Sequence, residues 1–336
     1  DVISAEVTAA LDRGDTHYPP NNGRPALREA LSAYMGGAGL TFSADEVILT
    51  DGATEALSAT FMAMLNPGDE VIIPTPAFGL YESIVVANHA KAVFLDTEPA
   101  QFQIDEDALR ACVTPATKAI VICSPNNPTG CILNAASLDA VAHVAEQMGI
   151  YVVCDDVYNR LVYVDGYEPE LREQTVVIES FSKPWAMTGW RLGWLAAAAP
   201  VIAEIAKAHQ YLVSSAVSFE MDAAARALTV DPTPMLEVYR ARRERVLAAL
   251  DAMGLDVVDF PKHQKVRPNQ RRLLHQSHQR GKRSPSPGRL LRNRRPRPPQ
   301  LLRFRQRPRR RTSPPVHLHF NLVALRDATH QPTDPS

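Results

Sequence analysis

The stretch "SFSKPWAMTGWRLGW", residues 180–194, holds two serines, a lysine, an arginine and three tryptophans. A surface segment has little use for so many large apolar rings, and a core segment has little use for an unpaired Lys183. On its N-terminal side "TVVIES" (175–180) is a continuous β-branched run. On its C-terminal side "RLGWLAA" (191–197) is another. Both read as buried strands. Lys183 therefore sits in a short loop off a strand end, beside Ser180 and Ser182, and Arg191 stands where the next strand begins. A lysine held among Phe181, Trp185 and Trp190 would have its ammonium form disfavoured by desolvation. A lysine kept partly neutral is a nucleophile toward a carbonyl carbon, hence a Schiff-base former. The plain alternative is a snorkelling lysine with its head in water.

Working outward, the same grammar fills the first three quarters of the chain. "EVILT" (46–50), "DEVIIP" (69–74), "KAVFLD" (91–96), "KAIVIC" (118–123) and "IYVVCD" (150–155) read as strands. "ATEALSATFMAML" (53–65), "LYESIVVANHA" (80–90) and "AASLDAVAHVAEQMG" (135–149) read as helices, the last stopped by Gly149. Near-continuous apolar strands alternating with helices predict an α/β fold, a three-layer αβα domain around a mainly parallel sheet. From Pro200 the pattern turns helical, and 232–254 reads as one long helix.

Then the grammar stops. Residues 264–315 carry Pro throughout, no acid and no sustained apolar stripe. Such a segment cannot bury enough apolar surface to offset its ordering entropy, and is expected to be disordered. Of the 36 Lys and Arg and 37 Asp and Glu in the 336 residues, 20 basic and 2 acidic residues lie from Lys262 onward, which leaves 16 and 35 before it. The net charge of −1 is thus the near-cancellation of an acidic body and a basic tail. The division expected is 1–235 as a large domain, 236–261 as a long helix and the start of a small domain, and 262–336 as an aberrant tail.

No run approaches the roughly 18 to 20 apolar residues of a membrane span, and the first residues carry no signal-peptide pattern. The four cysteines, Cys112, Cys123, Cys131 and Cys154, show no CxxC metal spacing. They read as reduced, buried thiols of a cytoplasmic protein. The histidines His17, His89, His143 and His209 are scattered, and no metal site is expected.

Three further stretches lie where strands end, the edge at which doubly wound sheets bind ligands. In "TDGATEAL" (50–57) a strand runs into Gly52 and a helix opens at Ala53 and Thr54, so free backbone N–H groups there suit a phosphate, or simply cap a helix. In "SPNNPTG" (124–130) two Asn, two Pro and a Gly suit a tight turn, and an amide fixed there could also donate to a ligand oxygen. In "VVCDDVYNRL" (152–161) Asp155 ends a strand with Tyr158 three residues on, as a helix cap or as partner of a buried cation. No GxxxxGK[ST] or GxGxxG motif is present. Singly each structural reading stands. Together, a phosphate cradle, an amide, a buried carboxylate and a Schiff-base lysine describe one ligand: pyridoxal 5′-phosphate.

The ordered set "YPPNNGRPALREAL", "TDGATEAL", "PTPAFGLY", "SPNNPTG", "DDVY" and "SFSKPWAMTGWRLGW" resembles the class I/II aminotransferases, fold-type-I pyridoxal-phosphate enzymes, over about residues 1 to 260. The resemblance implies that Lys183 forms the internal aldimine and moves the proton between substrate Cα and cofactor. Asp155 would pair with the pyridine nitrogen. Tyr158 and Asn127 would donate to the ring oxygen, with Asn127–Pro128 cis. Phe78 would stack on the ring. Gly52, Ala53, Thr54, Ser180 and Arg191 would hold the phosphate, joined by Tyr18 from the partner subunit of a homodimer. The substrates implied are an amino acid and a 2-oxo acid, with no membrane and no nucleic acid. A carbon–sulfur β-lyase on the same fold is the neighbouring alternative. A regulator using its basic tail on nucleic acid is the alternative of another class.

The sequence departs from the family pattern at both ends. The family's N-terminal segment, with a glycine that lines the substrate site, has no counterpart here, and 162–174 is short. After Pro261 nothing resembles the small domain, with its P-x-G-A-F-Y opening and later carboxylate-binding arginine. An Arg- and Pro-rich sequence nearly devoid of acids is what a shifted reading frame of a GC-rich gene would give, and the chain as written is expected to be impaired. Phe78, Tyr81 and Trp185 are expected to form an apolar pocket wall.

Overall fold

Seven strands form one sheet in the computed structural model, which describes residues 2–163 and 175–254. They are β1 (Val47–Thr50), β2 (Glu70–Thr75), β3 (Lys91–Asp96), β4 (Thr117–Cys123), β5 (Tyr151–Asp155), β6 (Thr175–Ser180) and β7 (Gly193–Ala196). The order across the sheet is β1-β7-β6-β5-β4-β2-β3. Each strand expected from the apolar runs is present, with bounds shifted by a residue or two. The sheet is parallel throughout, except that β7 runs antiparallel to both β1 and β6. Thr50, Gly193 and Ser180 lie in register across these three strands. The inversion of β7 has a direct result: its start, not its end, lies at the edge where the parallel strands finish.

Nine α-helices are present among the described residues: α1 (Val2–Asp12), α2 (Pro25–Gly37), α3 (Gly52–Met64), α4 (Leu80–Ala87), α5 (Glu106–Cys112), α6 (Ala135–Met148), α7 (Ala199–Leu212), α8 (Met221–Ala227) and α9 (Thr233–Ala252), the last of which buries no residue. Alternation along the strands divides their side chains between two faces. On one face Ile48, Val121, Val153, Val176, Ile178 and Leu195 pack with residues of α3, α4 and α7. On the other, Val47, Leu49, Val177 and Trp194 pack with α1, α2 and α8, while Ile72, Ile120, Ile122 and Val152 pack with α5 and α6. This is the three-layer αβα arrangement expected from the sequence.

Local signals account for element ends. The side chain of Asn134 accepts the Ser137 N–H at the start of α6, and Gly149 closes that helix in the left-handed region at φ 65°. The side chain of Asp105 caps α5 in the same way through the Ala108 N–H. After Asp155, which ends β5, residues 157–160 form a turn rather than a helix. All the described residues belong to one compact unit. Helix α9 spans the expected 235/236 division. Residues 164–174, 255–261 and the tail 262–336 lie outside the described residues, and so do the expectations that fall on them.

Candidate active site

The carboxyl edge of the sheet gathers the four stretches. Asp155 ends β5, paired across with Cys123 at the end of β4 and Ile178 of β6. Its side chain is buried, and the hydroxyl of Tyr81 from α4 donates to its Oδ2 at 2.6 Å. Burial pushes the Asp155 carboxyl up. The Tyr81 hydroxyl, the Val157 N–H and the Lys183 charge pull it back down. Tyr81 is itself raised well above the ordinary phenol range by burial, then by Asp155 and Cys123. A buried carboxyl with only neutral donors, the Tyr81 hydroxyl and the Val157 N–H, wants a cation, and no cationic side chain bonds to it among the described residues.

Lys183 follows β6 by three residues and is half-buried. Burial lowers its ammonium pKa and Arg191 lowers it further, while Asp155 raises it. Its Nζ lies 5.5 Å from the centre of the Tyr158 ring. This corrects the expected surroundings. Phe181, Trp185 and Trp190 do not wall the lysine; they belong to the core on the opposite face of the sheet. Phe181 packs on Trp185 and Trp194 at ring distances of 5.4 and 4.9 Å, and the Trp185 indole donates to the Val230 carbonyl at 3.0 Å. The rings anchor the 181–194 segment from behind, and Trp185 is no part of a pocket wall. Tyr81 is no plain wall residue either, because its hydroxyl serves Asp155. Phe78, by contrast, is 41% exposed and meets Tyr81 edge-to-face at 5.8 Å.

The N-terminus of α3 faces the same edge. Gly52 has φ +70°, and a Cβ there would lie 2.6 Å from Nη2 of Arg191. The guanidinium therefore sits directly over the first turn of α3, whose Ala53 and Thr54 N–H groups have no partner within the helix. Arg191 itself has φ 52° and donates to the Thr188 carbonyl at 3.2 Å. Gly193 completes the fit: a Cβ there would meet the Glu179 carbonyl at 2.8 Å and the Gly52 carbonyl carbon at 3.0 Å. The missing side chain lets the start of α3 lie against β7. The Ser180 hydroxyl donates to the Leu192 carbonyl at 3.2 Å and accepts the Ser182 N–H at 3.0 Å, tying the two ends of the lysine segment together.

The Asn127–Pro128 peptide is cis, as are Ser124–Pro125 and Thr75–Pro76. Asn126 stitches this turn to the segment before Phe78 by donating to the Pro76 carbonyl at 2.9 Å. The Asn127 N–H bonds the Cys123 thiol, whose ionisation burial and Asp155 suppress. Burial, Cys123 and Asp155 push the Tyr158 phenol up to about 12, so it remains a donor. Tyr18 is 88% exposed. The four cysteines are free, and among the described residues no three His, Cys, Asp or Glu side chains converge to hold a metal.

The model of the family "Aminotransferase class I and II" matches residues 1–263. The chain belongs to the class I and II aminotransferases. Similar proteins include a Bacillus subtilis protein named "Probable N-acetyl-LL-diaminopimelate aminotransferase", 38% identical over 76% of this chain and 67% of that one. An aspartate aminotransferase of Musicola paradisiaca is 36% identical over 73% and 64% of the two chains. Among solved structures, a tetra mutant of Thermus thermophilus aspartate aminotransferase superposes with a TM-score of 0.73 at 34% identity, covering 77% of this chain and 74% of that one. The chain spans about two thirds of the length of the curated relatives it matches.

Enzymes of this aminotransferase family depend on pyridoxal 5′-phosphate, and the residues present fit it. The contact of Arg191 over a side-chain-free Gly52, beside free helix N–H groups, is a cradle for a dianion. Among the described residues the buried Asp155 bonds to no cationic side chain, and a protonated ring nitrogen would supply that charge.

Proposed function

We propose that this chain is the cofactor-binding part of an aminotransferase that moves an amino group between an amino acid and a 2-oxo acid. The observation that carries the reading is the convergence of Lys183, Asp155 and the Gly52–Arg191 contact at one edge of the sheet. Bound there, pyridoxal 5′-phosphate supplies an aldehyde that condenses with amines and a protonated ring that withdraws electrons from the substrate Cα.

The chain's own residues do the rest. Gly52, Ala53, Thr54, Ser180 and Arg191 anchor the phosphate, and Tyr18, exposed here, reaches the partner's phosphate in a homodimer. Asp155, held by Tyr81, keeps a proton on the ring nitrogen; a carboxylate in a dry site does this far better than in water. Tyr158 and Asn127 donate to the ring oxygen, and Phe78 covers the ring face. Lys183 would be the amine that holds the cofactor aldehyde, and its Nζ would carry a proton to and from the substrate Cα. Burial and Arg191 lower its pKa, which raises the fraction of free amine available for both tasks. Residues 1–235 form the large domain in this reading, and 236–261 begin a small one.

The test is to load the purified chain with pyridoxal 5′-phosphate, record its visible absorbance, reduce with borohydride and map the modified residue by mass spectrometry. The expected result is one adduct, on Lys183, abolished by Lys183→Ala. An unmodified Lys183 in a chain that nonetheless binds the cofactor overturns the assignment. Adding amino acids one at a time and analysing products separates transamination from release of pyruvate and ammonia.

A further inference from the structure

Directly behind the phosphate cradle lies a polar cluster that the chemistry above does not use. Glu55 stands one turn into α3, and His209 in the last turn of α7. The histidine is 0% exposed and the glutamate 8%. Glu55 Oε1 lies 3.1 Å from His209 Nδ1, and Glu55 Oε2 accepts the Asp51 N–H at 3.2 Å. On the far side of the ring, Nε2 lies 2.9 Å from the Asn21 carbonyl oxygen. Asn21 donates through its side chain to the Ser214 carbonyl at 2.7 Å, and the neighbouring Asn22 carbonyl accepts the Leu49 N–H at 3.1 Å.

The hydrogen-bond roles follow from chemistry. A carbonyl oxygen only accepts, so Nε2 carries a hydrogen. Nδ1 and Glu55 then share one proton between them. Glu55 meanwhile reaches back to the N–H of the residue preceding α3, much as a glutamate one position earlier does in a capping box. An ordinary cap needs neither burial nor a histidine. Here the capping carboxylate is gripped by a ring from another helix, and that ring is gripped by the 21–22 segment. The Asp51–Gly52 turn is thus fixed from behind by two other parts of the chain. That turn sets both the direction of the free Ala53 and Thr54 N–H groups and the contact of Gly52 with Arg191.

We propose that Glu55 and His209 are positioning residues for the anion cradle, holding it in the shape that receives a phosphate monoester before the ligand arrives. The inference rests on the cofactor reading above, and its test separates the two. The full chain, freed of cofactor, is titrated with pyridoxal 5′-phosphate and with pyridoxal, which lacks the phosphate, and binding is read from absorbance and protein fluorescence. The wild type is expected to favour the phosphorylated form. Glu55→Met removes the acceptor for the Asp51 N–H and is expected to weaken pyridoxal 5′-phosphate by about tenfold or more, the size of one lost hydrogen bond at a charged ligand. Pyridoxal should change less than about twofold. Glu55→Gln is the rescue: its oxygen can accept the Asp51 N–H while its amide donates to a neutral His209 ring, so its affinity should stay within about threefold of wild type. Glu55→Asp keeps the charge but is one methylene too short to span both partners, and should lose phosphate preference. If the Met variant does not fold, the Asp and Gln variants carry the comparison. Undiminished phosphate preference in the Asp variant, equal loss of both ligands, or a Gln variant as weak as Asp overturns the positioning role. A wild type without phosphate preference overturns instead the cofactor assignment.

Discussion

Replacing Gly52 by alanine tests the cradle most sharply, because the structure supplies its own control. Gly52 sits at φ +70° and Gly149 at φ +65°, so each substitution forces an L residue into the left-handed region. The backbone cost is about 1–2 kcal/mol in either case, which lowers Tm by roughly 2–8 °C for a domain of this size. The surroundings differ. Nothing lies within 4 Å of a Cβ at 149, whereas at 52 the new methyl would stand 2.6 Å from Arg191 Nη2 and 3.1 Å from its Cζ. The obstructing atoms are the end of a long side chain, so the guanidinium moves aside and the fold is spared further strain. What is lost is its place over the first turn of α3. A hydrogen bond to a charged group contributes about 1.5–3 kcal/mol, so Gly52→Ala should weaken pyridoxal 5′-phosphate by roughly 10- to 100-fold. Gly149→Ala should leave it unchanged, although both variants melt at similarly reduced temperatures. Equilibrium dialysis and thermal denaturation of the two proteins decide the matter. If Gly52→Ala binds as tightly as Gly149→Ala, Arg191 does not hold the phosphate.

Two further predictions concern buried carboxyls. Tyr81→Phe removes the 2.6 Å bond to Asp155 and should destabilise the cofactor-free chain by about 1.5–3 kcal/mol where Asp155 is ionised. Because burial holds that carboxyl above its ordinary range, the deficit in Tm should shrink as pH falls and Asp155 takes up its proton. A deficit independent of pH would refute the assignment of the bond to a carboxylate. Glu179, buried beside Asp156 and accepting from Asn159 at 2.8 Å, is pushed up to about 8 by burial and by Asp156. The folded chain therefore keeps a proton that the unfolded chain releases above the ordinary glutamate value near pH ~4.3, and stability falls as pH rises toward 8. Glu179→Gln should escape that fall, so its Tm advantage over wild type should grow between pH 5 and 8 and then level off. An advantage that is constant across this range would refute the linkage.

The strands were legible because a buried parallel sheet demands uninterrupted apolar runs, and a helix such as α6 because Asn134 and Gly149 mark its ends. The direction of β7 was not legible: "RLGWLAA" reads the same whichever way the strand points. The four ligand-edge stretches could be picked out because each follows a strand. What lay beyond reach were partners distant in sequence. Nothing in "PTPAFGLY" announces that the Tyr81 hydroxyl would find Asp155, 74 positions on, and His209 looked like one scattered histidine until folding set it against Glu55, 154 positions away. The misreading of the tryptophans has the same origin. Closeness to Lys183 along the chain does not make the rings its neighbours in space: the segment leaves its strand with the rings turned to one face of the sheet and the amine to the other.

The reversed strand also decides where this scaffold tolerates change. Because β7 turns back beside β6, the dozen residues between them make a hairpin whose two feet, Ser180 and Gly193, stand side by side. The amine and the guanidinium hang from the same short bridge. Lengthening or trimming that bridge by one residue would displace both at once, whereas the crossovers through α3, α4, α5 and α6 leave and return through helices that can absorb such a slip. Natural variation in loop length should therefore collect elsewhere around the rim, and the bridge should behave as the fixed ruler of the pocket.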